Sequence, residues 1–444
     1  MKLSTRSIHQ SGKNCLFIIL FCLVIGVVFG EVATPSAVLS PEDAVQMALT
    51  QASVYQQARF NEKIAAEDLK QARAAFLPRV AAPVSVISNS AAHNGETPDQ
   101  VSFIGANALH DYQGCVTISG EIDIAGRLRA TLSRARALLK AAKAGTEAAR
   151  RAFVEATQEA YFNLALAVAK RQFAEQNLAS AKEFEHITQL LFGGREIAEV
   201  DLERARLQGR TRVDELEQSR AAEAAAVEGL RVFLGTDSTF PIQVKDLLSC
   251  LPNEGEIASF SADSIARHPE LARLEAERIA AGQDLRIARA DRRPQLSYAV
   301  SGGAETDALN QASIKEHTGT LTTVNFSLPI FDGSMTKSKE RQARLRLQAA
   351  ASVQSQTRRE LSQQFFTARS QVLSARERIL NAQNGLVDAE KNYRVSIARY
   401  KAGEAPVLEV TDAQSTLTAQ KMALFQAIAD YQVGLARLKQ GTAP

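Results

Sequence analysis

The sequence carries the same pattern twice, at a constant separation. Residues 116–142 align with residues 324–350, a separation of 208 residues (324 − 116). The same separation pairs Asp201 with Glu409 further along, without any gap. A duplication of this kind predicts two copies of one structural unit.

Each copy is predicted to follow one plan: a helix, a strand, a loop, a second strand, a long helix, a tight turn and a return helix. Residues 127–192 contain no proline and place apolar or small side chains at alternating spacings of four and three. That spacing is typical of long helices that pack as antiparallel coiled coils. The turns between paired helices are predicted at Gly193, Gly194, Gly403 and Pro406.

The strands are predicted from side chains that alternate between apolar and polar. Residues 116–124 and 324–330 alternate in this way, which places the apolar side chains on one surface of a sheet. Four strands are too few to close a sheet on themselves. That surface therefore needs either a covering helix or strands from further copies of the chain.

The amino terminus is typical of an export signal. Residues 1–30 begin with Lys2, Arg6 and Lys13 and continue into an apolar stretch that ends at Gly30, as secretory signal peptides do. A retained membrane anchor is the alternative, although the apolar run is shorter than a spanning helix needs. Removing the three basic residues lowers the formal charge from +3 to zero (3 − 3), so charge gives no reason to expect a nucleic-acid partner.

These patterns divide the chain into four segments. We expect a signal peptide at 1–30, a first repeat at 31–240, a connector at 241–260 and a second repeat at 261–444. Within the repeats, β-hairpins are expected at about 79–124 and 295–331, and helical hairpins at 127–235 and 335–440. The first repeat is expected to open with one helix over about 41–77, which starts after Ser40 and stops before Pro78.

The sequence shows no recognisable catalytic or metal-ligating constellation. Its histidines lack the spacing of zinc ligands, and none of its serines or cysteines lies in a complete catalytic motif. We therefore predict a protein that is not an enzyme and has no catalytic site, metal site or cofactor. From the residues alone, an outer-membrane duct and a periplasmic coiled-coil adaptor or structural protein both stay open.

Three motifs carry a resemblance to a known family. They are residues 121–129 (EIDIAGRLR), residues 328–334 (LPIFDGS) and residues 400–413 (YKAGEAPVLEVTDA). With the duplication, they make the chain resemble the TolC-like outer membrane efflux proteins (outer membrane factors). The resemblance implies a mainly α-helical fold with a β-barrel contribution, in which each chain gives four membrane β-strands and long antiparallel coiled-coil helices to a trimeric β-barrel and α-barrel.

The resemblance also implies a function and partners. The chain would be the exit duct of a tripartite efflux or type I secretion system in the Gram-negative outer membrane, extending into the periplasm. Its partners would be two further copies in a homotrimer, a periplasmic adaptor (membrane fusion) protein, an inner-membrane pump of the RND, ABC or MFS type, and outer-membrane lipid. Nucleic acid is not among them.

The resemblance places candidate site residues around the two helical-hairpin turns. Glu409 and Asp412 match acidic positions that ring the closed entrance in the family, and their spacing of three puts them on one helical face. An ordinary solvated acidic pair is the alternative for these two. Tyr400 and Asp201 match a pair that hydrogen-bonds across the two hairpins and holds the entrance shut. The family's gate arginine is replaced by Ala405.

Overall fold

The computed structural model describes residues 38–51, 53–88, 110–252 and 255–442. The predicted signal peptide lies outside these residues. The described chain is mainly helical with one small antiparallel sheet, which confirms the predicted fold class. No helix in the described ranges combines the length and the hydropathy that crossing a membrane requires.

The helices of the described residues fall into two similar series. The first series is α1 (Pro41–Thr50), α2 (Val54–Ala74), α3 (Arg127–Gly193) and α4 (Glu199–Leu234). The second is α5 (Pro269–Ala290), the short α6 (Gln311–Glu316), α7 (Met335–Lys401) and α8 (Val407–Thr442). Helices α3 and α7 each have 67 residues, so each is about 100 Å long at 1.5 Å per residue. Short 3-10 helices at Leu247–Ser249, Glu256–Ser259 and Ala262–Arg267 join the two series.

The first helix of the chain is shorter than the sequence indicates. The prediction of a single helix over about 41–77 is wrong, because the structure has two helices, with α1 ending at Thr50 and α2 beginning at Val54. The predicted start is confirmed, since Ser40 and Asp43 form a capping box. The break lies where α4 ends: Gly235 follows α4 with a φ of 60°, and a Cβ there would lie 3.0 Å from Gln51 Cγ.

The sheet joins the two repeats through its central strands. The strands are β1 (Arg79–Ala81), β2 (Val84–Ser88), β3 (His110–Ile122), β4 (Gln295–Thr306) and β5 (Thr318–Ser327). All pairings are antiparallel, with β3 between β4 on one side and β1 and β2 on the other. β1 and β2 are two pieces of one strand, interrupted at Ala82 and Pro83. Proline lacks the N–H that a continuous ladder would use.

One surface of the sheet is apolar and exposed, as the alternation predicts. The registers Val80↔Ile118, Ile118↔Val300 and Ile122↔Leu296 put apolar side chains side by side. Exposed members of this surface are Val80, Val84, Val86, Val116, Ile118, Ile122, Val300, Val324 and Phe326. The described helices leave this surface uncovered.

Both long helices begin with the same backbone turn. Gly126 and Ser334, which precede α3 and α7, both have left-handed φ values of 81° and 71°. In the first copy, the Asp123 carboxylate accepts hydrogen bonds from the amides of Leu128 and Arg129, each at 3.0 Å. These bonds satisfy amides that have no partner within the helix, and they fix where each strand passes into its helix.

Candidate functional site

The far ends of the helical hairpins form two turns of the same type. In the second turn, the amide of Gly403 donates to Tyr400 O (3.0 Å) and that of Glu404 to Arg399 O (2.9 Å). This pair of bonds is a Schellman motif, with Gly403 in the left-handed conformation at a φ of 76°. Pro406 lies three residues after Gly403 and directly before α8.

The first turn has the same hydrogen bonds but different residues. The amide of Arg195 donates to Phe192 O (2.9 Å) and that of Glu196 to Leu191 O (3.0 Å). The left-handed residue is Arg195, with a φ of 61°. Gly193 is the last residue of α3, and Gly194 has right-handed helical dihedrals. The two predicted glycines therefore lie at the turn without occupying its left-handed position.

A small apolar cluster joins all four helices just behind the turns. Its buried members are Phe184, Ala205, Tyr400, Val407 and Val410, which we call the tip cluster. The rings of Phe184 and Tyr400 lie 5.2 Å apart between centroids. Because the cluster includes side chains from α3, α4, α7 and α8, it holds the two hairpins together at their ends.

Tyr400 lies in this cluster with its hydroxyl buried. Burial raises the pKa of Tyr400, and the negative charge of Asp201 raises it further. Within the described part of the chain, the hydroxyl has no hydrogen-bond partner. The Asp201 carboxylate lies 3.8 Å from Arg204. A gate hydrogen bond between Tyr400 and Asp201 stays a prediction.

Glu409 and Asp412 lie on the first two turns of α8 and differ in their surroundings. Arg399 Nη1 is 2.6 Å from Glu409 Oε1, and the Ser396 hydroxyl lies 3.5 Å from the same oxygen. Asp412 is exposed, and its carboxylate has no ion pair with any residue in the described ranges. One of the two predicted carboxylates is therefore neutralised by its own hairpin.

Arg399 is a residue that the sequence reasoning missed. Its partner lies ten positions away, which is not a helical spacing. The signal was nevertheless present, because Arg399 and Glu409 are equally far from Glu404, the middle of the turn. Two antiparallel helices joined by a short turn bring such symmetric positions side by side.

Polar contacts also join the hairpins further from the tips. Gln208 Nε2 on α4 donates to Gln414 Oε1 on α8 at 2.6 Å, and Gln414 is only 2% exposed. The Asn177 amide on α3 reaches the Thr418 hydroxyl at 3.4 Å. Gln208 Oε1 and Gln414 Nε2 are buried without hydrogen-bond partners. The contact between hairpins is therefore polar just above the tip cluster.

The described residues show neither a metal-binding cluster nor a disulfide bond. No set of three or more His, Cys, Asp or Glu side chains within the described ranges is arranged to hold a metal ion. Cys115 and Cys250 are both free thiols. The tips thus combine an ion pair and an exposed carboxylate with a small apolar cluster.

Comparison with known proteins identifies relatives of the whole chain. The profile of the family described as "Outer membrane efflux protein" matches residues 44–236 and 261–443. A search of curated proteins finds no match. Solved structures match at low sequence identity, and they therefore show a shared fold.

Three of these structures span nearly the whole chain. The structure of CusC, described with its transmembrane channel formation, is 20% identical with a TM-score of 0.80, covering 90% of this chain and 91% of that one. The Campylobacter jejuni CmeC outer membrane channel is 20% identical with a TM-score of 0.79, covering 90% and 85%. The open state of the Neisseria gonorrhoeae MtrE outer membrane channel is 18% identical with a TM-score of 0.77, covering 90% and 88%.

Proposed function

Because this chain belongs to the outer membrane efflux protein family, we propose that it serves as the exit duct of a tripartite efflux or type I secretion system. It is an outer-membrane channel protein whose helices extend into the periplasm. The match along both repeats supports this function and lends nothing to the alternative of a periplasmic adaptor. The duct is passive: it conducts when its periplasmic end is open.

The duct is assembled from three copies of the chain. The open sheet supports this, because within the described residues β1 and β2 pair only with β3, and β5 pairs only with β4. An open sheet with two free edges closes when copies join edge to edge in a ring. Helix α7 carries a matching unpaired stripe of exposed apolar side chains, namely Phe366, Leu373, Leu380, Val387 and Val395. A stripe with spacings of seven and eight fits a helix of the next copy.

The partners meet the duct at the hairpin turns. Each long helix places its turn about 100 Å from the sheet, so a duct anchored by its strands presents these turns deep in the periplasm. A periplasmic adaptor and an inner-membrane pump of the RND, ABC or MFS type would contact the duct there. Outer-membrane lipid would cover the exposed apolar surface of the sheet.

The periplasmic entrance lies at the tip cluster. Glu409 and Asp412, on α8 directly beside the cluster, form carboxylate rings in the trimer, and such rings concentrate cations. Tyr400 and Asp201 form the link between hairpins that holds the entrance closed. The observation that carries this assignment is the tip cluster itself, because one set of buried contacts joins all four helices next to the acidic residues.

Conductance of the trimer in planar lipid bilayers tests the entrance. We expect Glu409→Ala with Asp412→Ala to weaken block by hexaamminecobalt(III) added on the periplasmic side, and Tyr400→Phe to raise the resting conductance. The control is Asp388→Ala with Glu390→Ala, which removes the same charge from exposed positions on α7 remote from the turn. Equal block of the wild type and the entrance variant would remove both acids from the passage. A protein that fractionates as a soluble periplasmic monomer would refute the duct itself.

A further inference from the structure

Arg399 brings a positive charge to the proposed entrance. Its guanidinium contacts Glu409 at 2.6 Å, and its second terminal nitrogen lies 3.5 Å from Glu404 O in the turn. The side chain therefore bridges the end of α7, the turn and the start of α8. Each copy in a trimer would place one such cation beside its acidic residues.

The pair changes the charge that a passing ion meets. Arg399, Glu409 and Asp412 together carry a formal charge of −1 per chain (+1 − 1 − 1), which is −3 for three chains. Without the arginine the charge would be −2 per chain and −6 for three. Of these three residues, only the exposed Asp412 has no ion pair with a described residue, so it supplies most of the attraction for cations.

The pair has little to do with holding the hairpin together. The side chains of Arg399 and Glu409 are 47% and 34% exposed, and ion pairs of this kind contribute little to stability. Val407 and Val410 of the tip cluster are fully buried, and they keep α7 and α8 in contact. A change at Arg399 should therefore alter the electrostatic potential and leave the fold of the tip intact.

We propose that Arg399 sets the cation affinity of the entrance by neutralising the Glu409 ring, so that Asp412 alone attracts cations. This inference rests on the proposed function, because it needs the hairpin turns to surround a passage. Three additional negative charges about 10 Å from a trivalent ion, screened by salt, would tighten its binding on the order of tenfold.

The decisive variant is Arg399→Gln, which removes the charge and keeps a polar side chain. In planar bilayers we expect it to be blocked by about tenfold less hexaamminecobalt(III) than the wild type. The matched control is Arg378→Gln, because Arg378 also pairs α7 with α8, at 2.7 Å from Asp430 and with a similar exposure of 51%. That pair lies far from the turn, so the control should be blocked like the wild type.

Two more variants separate the possible failures. Asp412→Asn should weaken block, and unchanged block in this variant would show that Asp412 does not face the passage, which contradicts the entrance assigned under the proposed function. If Asp412→Asn weakens block and Arg399→Gln leaves it unchanged, the role of Arg399 is wrong while the entrance stands. Arg399→Lys should restore block at the wild-type concentration. Lysine keeps the positive charge, so a lysine variant that is blocked at the same low concentration as Arg399→Gln would rule out a charge effect.

Discussion

Two buried tyrosines allow a sharp test of how the centre of the helical region is held together. Tyr161 on α3 is fully buried, and its hydroxyl donates to Leu39 O at 2.7 Å and accepts from the Lys245 amide at 3.1 Å. These two backbone groups belong to the segment before α1 and to the connector, which form a short parallel bridge. Burial raises the pKa of Tyr161 to about 12, so the hydroxyl stays protonated at any physiological pH.

Tyr161→Phe removes this hydroxyl and keeps the ring. The carbonyl of Leu39 and the amide of Lys245 then lose this partner. A typical hydrogen bond contributes about 1 kcal/mol and the hydroxyl makes two, so we expect a loss of about 1–2 kcal/mol per chain. Because the ring packs as before, no cavity adds to this loss.

Tyr431→Phe is the control, with the opposite expectation. Tyr431 on α8 is also fully buried, yet its hydroxyl has no hydrogen-bond partner in the described part of the chain. Removing a buried, unpaired hydroxyl should leave stability unchanged or raise it by about 1 kcal/mol. Both variants therefore remove the same hydroxyl group, one that is hydrogen-bonded and one that is not.

The assay is thermal unfolding of the detergent-solubilised protein by far-ultraviolet circular dichroism, at one scan rate for all variants. Tyr161→Phe should unfold at a clearly lower temperature than the wild type, while Tyr431→Phe should unfold at the same temperature or higher. Equal shifts in the two variants would refute the reasoning, because they would mean that the hydrogen bonds to the connector contribute nothing beyond ring packing.

Two further predictions concern the hairpin contact and the pH dependence of stability. Gln208→Leu with Gln414→Leu should lower the resting conductance below that of the wild type, because it replaces two amides that each leave a buried group unpaired by an apolar contact of similar size. Hydrogen bonds from Arg273 lower the pKa of Glu270 below its ordinary value of 4.5, so this pair stabilises the fold above about that pH and loses its effect as the pH falls through the lowered pKa. Between about pH 5 and pH 3, the unfolding temperature of Glu270→Gln should fall less than that of the wild type.

The sequence predicts the regular parts of the fold well, because periodicity is a local property. The long helix from Arg127 ends one residue beyond the predicted position, and the strands follow the alternation of their side chains. The break between α1 and α2 was not predicted, and its surroundings are tertiary: Gln51 at the end of α1 meets Gly235, which is remote in sequence, only in the folded chain. The interruption of the first strand at Pro83 is different: the proline was visible, and the prediction did not use it.

The candidate site shows the same division between local and tertiary information. The resemblance singled out Glu409, Asp412 and Tyr400 within one motif and Asp201 as the partner of Tyr400, and each lies at the hairpin ends. Motif order cannot say which carboxylate is paired, because pairing depends on how the turn aligns two helices. The neutralisation of Glu409 by Arg399 and the unpaired hydroxyl of Tyr400 are consequences of that alignment.

The duplication has preserved the backbone of the two turns while their side chains diverged. Arg195 and Gly403 occupy equivalent positions, 208 residues apart, and both adopt the left-handed conformation. An arginine there is strained relative to glycine by about 1 kcal/mol, so the hydrogen bonds of the turn must hold it in place. The equivalent of Asp412 is Arg204, which lies beside Asp201. In the first hairpin Arg204 lies beside Asp201, whereas in the second the equivalent Asp412 is exposed and has no ion pair with a described residue, so the two copies differ in charge at this position.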